Sequence, residues 1–155
     1  MADIKQGEVA PDFTLTDYQG NTVQLSQFKN NKHVILVFNR GFTWPFCQAH
    51  MAQLRQDYDQ YIQRNTEVVV VGPESAESFK NYFEKHQLPF IGLPDPTHSV
   101  LKLYKQQVKL LRLGRLPSQT IVDKNGIIQY AHFGKSMQDI PSNEDIFAIL
   151  DALAD

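Results

Sequence analysis

The stretch from Val34 to Cys47 reads VILVFNRGFTWPFC and decides the fold. Its first part, Val34–Phe38, is a continuous apolar run rich in β-branched residues, which is typical of a strand buried on both faces. A loop that contains Gly41 follows. Pro45 then suits the first turn of a helix, because the N–H that proline lacks would have no helical partner there. The sequence thus predicts a buried strand, a loop and a helix that begins near Pro45.

Outward from this stretch, strands and helices alternate along the chain. Apolar residues recur at helical spacing on one stripe of a helix predicted over 45–64: Cys47, Met51, Leu54, Tyr58, Tyr61 and Ile62. Strand patterns occupy residues 13–16, 23–25, 34–38, 68–71, 90–91, 120–123 and 127–130, and helical patterns occupy 75–85, 100–104 and 146–153. This order predicts an α/β fold in a single domain, residues 1–155, with an N-terminal β-hairpin and a central mixed sheet flanked by helices.

Composition excludes several classes of function. The chain has 155 residues, 15 Lys and Arg against 17 Asp and Glu, and a net charge of −2, which excludes a strongly basic nucleic-acid or membrane-surface binder. A single cysteine excludes an intramolecular disulfide and a cysteine-rich zinc site. The five histidines lack ligand spacing and no glycine-rich phosphate loop is present, so we expect neither a metal nor a cofactor. Apolar runs too short to span a bilayer and an N-terminus without an apolar signal core lead us to expect a cytoplasmic protein.

Cys47 is the residue most suited to chemistry, and two interpretations of it stay open. A thiol in the first turn of a helix lies near free N–H groups and a partial positive charge, which favour a reactive thiolate. Cys47 is also in phase with the apolar stripe of the helix, and a free cysteine is among the most buried residue types. A pair of Cys47 with His50, three residues later, is a weaker alternative, because side chains at that spacing on one helix rarely reach nucleophile–base geometry.

The chain as a whole resembles the peroxiredoxin superfamily, in particular its alkyl hydroperoxide reductase/thiol-specific antioxidant (AhpC/TSA) branch. The resembling segments follow in order: GEVAPDFTL at residues 7–15, LSQFK at 25–29, VVVG at 69–72, LPF at 88–90 and PSQTIVDKNG at 117–126. The resemblance covers nearly the whole chain and implies a three-layer thioredoxin-like fold. It also implies that the Leu116–Pro117 peptide is cis and that Pro117 lies against the Cys47 loop.

The active-site loop departs from the usual peroxiredoxin pattern. At the positions where the family has its Pro and its Thr or Ser, this chain has Arg40 and Trp44, and Thr43 is one residue out of register. A related branch has an Arg-Gly-aromatic loop followed by Cys-Pro-aromatic-Cys, which residues 40–47 fit closely. In that alignment Trp44 replaces the first, exposed, nucleophilic cysteine, and Cys47 takes the place of the second, more buried one.

The resemblance implies an oxidoreductase that reduces hydroperoxides with a single cysteine. Cys47 is then the catalytic thiol, Thr43 a hydrogen-bonding residue, and Arg115, with Arg40 and Arg112 as alternatives, a cation that stabilises the thiolate. The lone cysteine requires an external thiol or a thioredoxin- or glutathione-type reductant. Residues predicted to line the substrate or partner site are Arg40, Phe42, Trp44, Pro45 and Pro117.

The alternative is a redox-inactive thioredoxin-fold protein that binds a partner. In that case Phe42, Trp44 and Phe46 form an apolar surface beside Pro117. A homodimer is one assembly that the resemblance allows, and the sequence selects no mode of pairing.

Overall fold

A computed structural model describes residues 4–105, 108–109 and 114–153. The strands are β1 (Thr14–Thr16), β2 (Thr22–Gln24), β3 (His33–Phe38), β4 (Thr66–Gly72), β5 (Ile91–Pro94), β6 (Val108–Lys109), β7 (Gly114–Arg115), β8 (Ser118–Val122) and β9 (Ile128–Phe133). The helices are α1 (Pro45–Gln56), α2 (Tyr58–Gln63), α3 (Ala76–His86), α4 (Ser99–Leu103) and α5 (Asn143–Asp151), and a 3-10 helix spans Leu25–Phe28.

Five strands form the central sheet in the order β5-β4-β3-β8-β9. The β3, β4 and β5 strands are parallel, whereas β8 is antiparallel to both β3 and β9, so the sheet is mixed as predicted. The β1 and β2 strands pair as the predicted N-terminal hairpin. Because β3 is central and parallel to β4, the loops that leave β3 and β4 meet at one edge of the sheet.

Successive residues of β3 contribute to two separate cores, one on each face of the sheet. Ile35 and Val37 pack with apolar side chains of α1, α2, α3 and α5. Val34, Leu36 and Phe38 pack with the N-terminal hairpin, the 3-10 helix and α4. The three-layer α/β architecture predicted from the sequence is therefore confirmed, with β3 buried along its whole length.

The helix predicted over residues 45–64 is interrupted at Asp57, which has φ −103° and ψ 11°. The side chain of Asn143 approaches at this point, where its Nδ2 donates to the Gln53 carbonyl at 3.0 Å and to Asp57 Oδ2 at 2.9 Å. The Asp57 N–H still donates to the Gln53 carbonyl at 3.1 Å, so Asn143 adds bonds at the end of α1 without replacing one. Because of the break, Ile62 is 41% exposed and does not share the buried stripe.

The strand predicted around residues 90–91 begins at Ile91 and continues to Pro94. Pro94 is accommodated because β5 is an edge strand, where a missing N–H costs no bond of the sheet. Among the described residues, no helix is both long and apolar enough to cross a membrane.

Candidate active site

The loop that follows β3 brings Trp44 to the start of α1. Gly41 has φ +150°, and a Cβ at this position would lie only 3.2 Å from Cδ1 of the Trp44 indole, so the close approach of the indole requires glycine. Trp44 is the N-cap residue of α1, and Pro45 occupies the first turn as predicted. The Trp44 side chain accepts no hydrogen bond from the free N–H groups of the first turn of α1.

Cys47 lies in this first turn and is 1% exposed, as its helical phase predicted. The backbone amides of Arg40 and Gly41 and the Arg40 charge each act to lower the pKa of its thiol. The sequence offered a buried cysteine and a reactive thiolate, and the structure supports a feature of each. The thiol is buried, and it also has polar neighbours that favour a negative sulfur.

Burial is the largest influence on the acidity of Cys47, and it raises the pKa of the thiol above its ordinary value. Hydrogen bonds from the amides of Arg40 and Gly41 and the Arg40 charge act in the opposite direction, while Glu74 raises the pKa further. At neutral pH most Cys47 is therefore a protonated thiol. Its thiolate fraction increases as the pH rises.

Arg40 contacts Trp44 and acts electrostatically on Cys47. The residue is 5% exposed, and its guanidinium carbon lies 3.8 Å from the centroid of the Trp44 ring, a cation–π contact. Burial lowers the pKa of Arg40, and the proximity of Cys47 partly offsets that effect. A guanidinium keeps its charge under such a change, so Arg40 remains a cation beside the sulfur.

Glu74 is a site residue that the sequence analysis missed. It follows β4, and its Oε1 accepts a 2.6 Å hydrogen bond from the backbone N–H of Phe42. The signal that was available is topological, because β3 and β4 are adjacent parallel strands and polar residues after their carboxyl ends meet at one edge. Glu74 thus holds the loop in place and puts a negative charge near Cys47.

Gln119 on β8 is a second residue that the sequence analysis missed. Its Nε2 lies 3.1 Å from Nε2 of His50, which is buried on α1. Burial lowers the pKa of His50 to about 4, so the ring is neutral at pH 7. In this arrangement the Gln119 amide donates to the ring nitrogen, which places the imidazole proton on Nδ1.

Pro117 lies close to Cys47, since both residues line one small cavity. The Leu116–Pro117 peptide is trans, so the expectation of a cis bond is wrong. A trans bond is the default even before proline. Pro117 precedes β8 immediately, a position where its missing N–H costs no bond of the sheet.

The structure places the other residues predicted for the site in different surroundings. Phe42 is 7% exposed and stacks on Tyr82 at 4.3 Å between ring centroids, so the prediction that it contributes to an exposed apolar surface is wrong. The reason is that Phe42 fills the core beside α3.

Thr43 is exposed and lines a depression that Cys47 does not line, and its predicted catalytic role stays a prediction. The backbone of Arg115 pairs with Val108, while the Arg115 side chain and the whole of Arg112 lie outside the described part of the structure.

A mixed sheet with a cysteine in the first turn of the helix after its central strand defines a thioredoxin-like redoxin. The family model described as the AhpC/TSA family matches residues 6–131. The chain therefore belongs to the AhpC/TSA family of peroxiredoxins, as its resemblance indicated.

Two relatives and one solved structure illustrate this kinship. Chloroplastic peroxiredoxin Q of Triticum aestivum is 34% identical over 83% of this chain, which spans 59% of the length of that relative. Peroxiredoxin Bcp of Bacillus subtilis is 29% identical over 79% of this chain and 81% of its own. The crystal structure of peroxidoxin BcpB from Mycobacterium tuberculosis superposes with a TM-score of 0.86 at 18% identity, over 99% of this chain and 100% of that one. The structural likeness confirms the thioredoxin-like fold.

Proposed function

We propose that the protein is a thiol-dependent peroxidase in which Cys47 is the peroxide-reacting thiol. The observation that carries this proposal is the position of Cys47 in the first turn of α1, where the backbone N–H groups and the charge of Arg40 favour its thiolate. Such a set of donors stabilises a thiolate and, during reaction, the charge that moves onto the peroxide oxygens. Membership of the AhpC/TSA family supports the same function.

In the first half-reaction the Cys47 thiolate attacks one oxygen of the hydroperoxide. An S–O bond forms, the O–O bond breaks, and the electron pair leaves on the other oxygen, which takes up a proton and departs as water or an alcohol. Cys47 is oxidised to a sulfenic acid and the peroxide is reduced. Burial raises the pKa of the thiol, so most Cys47 is protonated at neutral pH. The thiol must therefore lose its proton before the thiolate attacks.

The second half-reaction requires an external thiol, since the chain has a single cysteine. One thiol attacks the sulfenic sulfur, water leaves, and a mixed disulfide forms with Cys47. A second thiol then releases Cys47 and carries away the disulfide. The reductant is an external thiol or a thioredoxin- or glutathione-type reductant. A cytoplasmic location and a homodimer stay predictions.

Partner binding without redox chemistry is the less supported function. It requires an apolar surface made by Phe42, Trp44 and Phe46. Of these only Phe46 is clearly exposed, at 44%, while Phe42 is in the core and Trp44 is half-buried.

Turnover with hydrogen peroxide and excess dithiothreitol tests the peroxidase function. The wild type is expected to consume peroxide over many cycles, and Cys47→Ser is expected to lose turnover while it stays folded. A serine variant that retains turnover, or a folded wild type without any, contradicts the proposal.

A further inference from the structure

A cavity of about 290 Å³ lies at the end of the central sheet that is remote from Cys47. It is beside Val34, near the start of β3, whereas the Cys47 loop follows the other end of that strand. The N-terminal segment 9–12, the 3-10 helix and the turn at 123–127 form its walls. The cavity is therefore separate from the candidate active site, and what it binds does not depend on the proposed peroxidase function.

The walls of this cavity are mostly apolar. The side chains that supply the apolar surface include Val9, Leu25, Phe28, Val34, Val122 and Ile127. Val9 is 68% exposed, more than any other large apolar side chain of the described residues. An apolar cavity of about half this volume holds a benzene ring, so this one has room for an alkyl chain of about eight carbons.

Two lysines line the cavity and supply positive charge. Within the described part of the chain, the Lys29 side chain has no hydrogen bond or ion pair, and Lys32 Nζ lies 3.9 Å from Glu67 Oε2. The Lys29 stem passes close to the turn, because a Cβ on Gly126 would lie 3.8 Å from its Cδ. A lysine covers apolar surface with its stem while its ammonium stays in water, so this charge is available to a ligand head group.

The two carboxylates of the lining already have hydrogen-bond donors. Asp12 accepts from the Gln24 side chain at 2.8 Å and from the Ser26 N–H at 2.9 Å. Asp123 accepts from two backbone N–H groups of the turn at 2.9 and 3.0 Å and from the Gln129 side chain at 2.7 Å. These donors offset part of each negative charge, which leaves the lysine charges to select the ligand.

We propose that this cavity binds an amphipathic carboxylate of about eight carbons, with its alkyl chain against the apolar walls and its head group at Lys29. The volume fits a small molecule, and the exposed Val9 extends the apolar surface to the mouth. Burial of the alkyl chain supplies the affinity, and the ammonium of Lys29 selects a negative head group over a neutral or positive one.

Three ligands that share one alkyl chain test the head group: octanoate, 1-octanol and octyltrimethylammonium. Isothermal titration calorimetry with the intact chain is expected to show one octanoate bound per chain, about fivefold more tightly than either of the others. Lys29→Gln should weaken octanoate about fivefold and leave 1-octanol unchanged. Lys80→Gln is the matched control, since Lys80 is an exposed lysine of α3 that does not line the cavity, and it should change neither affinity.

Ile127→Trp tests the position of the ligand. The larger side chain should fill part of the cavity and weaken octanoate and 1-octanol alike, about tenfold, whereas Ile62→Trp on the exposed side of α2 should weaken neither. Val9→Ser removes apolar surface at an exposed residue and should also weaken both ligands, so the position stays testable if Ile127→Trp does not fold. Thermal unfolding without ligand checks that each variant is folded.

Several results would overturn the proposal. A folded wild type that binds no octanoate, or that binds octyltrimethylammonium as tightly, excludes a carboxylate site. Octanoate affinities that are unchanged in folded Ile127→Trp and in Val9→Ser show that the ligand lies elsewhere. A second copy of the chain is the competing occupant, and a lower sedimentation mass of unliganded Val9→Ser than of the wild type would assign the cavity to it.

Discussion

The guanidinium carbon of Arg40 lies over the indole ring of Trp44, 3.8 Å from the ring centroid. In the branch of the family that this loop resembles, the position of Trp44 is that of the first cysteine. Here the indole instead packs on the cation that neighbours Cys47, a contact worth about 2 kcal/mol when it is shielded from water. The resemblance therefore implies that Trp44 replaces one thiol, and the indole contacts the arginine that neighbours the other.

Restoring the missing thiol tests this alignment. Trp44 is the N-cap residue and Cys47 lies in the first turn of α1, so Trp44→Cys creates two cysteines at the spacing of a redox dithiol. We expect mild oxidation to close an intramolecular disulfide, seen as the loss of both free thiols and as a mass loss of two hydrogens. Phe46→Cys, which introduces an exposed thiol directly beside Cys47, is the control and should not close a ring. Two persistent thiols in oxidised Trp44→Cys contradict the alignment.

Glu74 offers a test of the electrostatics at the sulfur. Its charge raises the pKa of Cys47, whereas Glu74→Gln removes the charge and keeps an oxygen for the Phe42 amide. The thiol pKa should fall, and alkylation by iodoacetamide at pH 7 should accelerate on the order of threefold. The exposed Glu77 of the first turn of α3 supplies the matched control, Glu77→Gln. A pKa of Cys47 that is unchanged or higher in Glu74→Gln shows that Glu74 does not act on the sulfur.

His50 makes the stability of the fold depend on pH. Its pKa is about 4 when folded, against 6.5 when exposed, so the unfolded chain binds more protons between these values. The free energy of unfolding keeps the full contribution of the neutral His50 ring above pH 6.5. It decreases as the pH falls towards 4, by about 3 kcal/mol at most. Urea unfolding across this range should show the loss in the wild type and a smaller one in His50→Gln. Equal pH dependence in the two proteins would mean that His50 is not buried in its neutral form.

Asn143 ties three helices together and should matter for stability alone. Its Oδ1 accepts from the Tyr61 hydroxyl at 2.7 Å, and its Nδ2 donates to the Gln53 carbonyl and to Asp57. Asn143→Ala removes all three bonds and leaves the buried Tyr61 hydroxyl unpaired, so we expect about 2–3 kcal/mol lower free energy of unfolding, with Tyr61→Phe costing less. Chemical denaturation measures both values. An alanine variant as stable as the wild type contradicts the assigned network.

The order of strands and helices could be predicted from the sequence, because buried strands such as 34–38 and 68–71 are continuous apolar runs. The helical spacing of Cys47 favoured burial, while its position in the first turn left a reactive thiol open; the structure buries it. Glu74 and Gln119 were not assigned, because they are distant from Cys47 in sequence and approach it through the pairing of β3 with β4 and β8. The position of Phe42 was missed for the same reason, since the stacking partner Tyr82 belongs to α3.

Direct oxidation of Cys47 is the most decisive measurement for the peroxidase function. The folded, reduced protein is treated with one equivalent of hydrogen peroxide across a range of pH, and the modified residue is identified by mass spectrometry. We predict the gain of one oxygen atom at Cys47, faster as the pH rises through the raised pKa of the thiol. Dimedone should trap this sulfenic acid in one portion of the sample, and dithiothreitol should reverse the oxidation in a portion without dimedone. A Cys47 that stays unmodified in the folded protein at every pH contradicts the account.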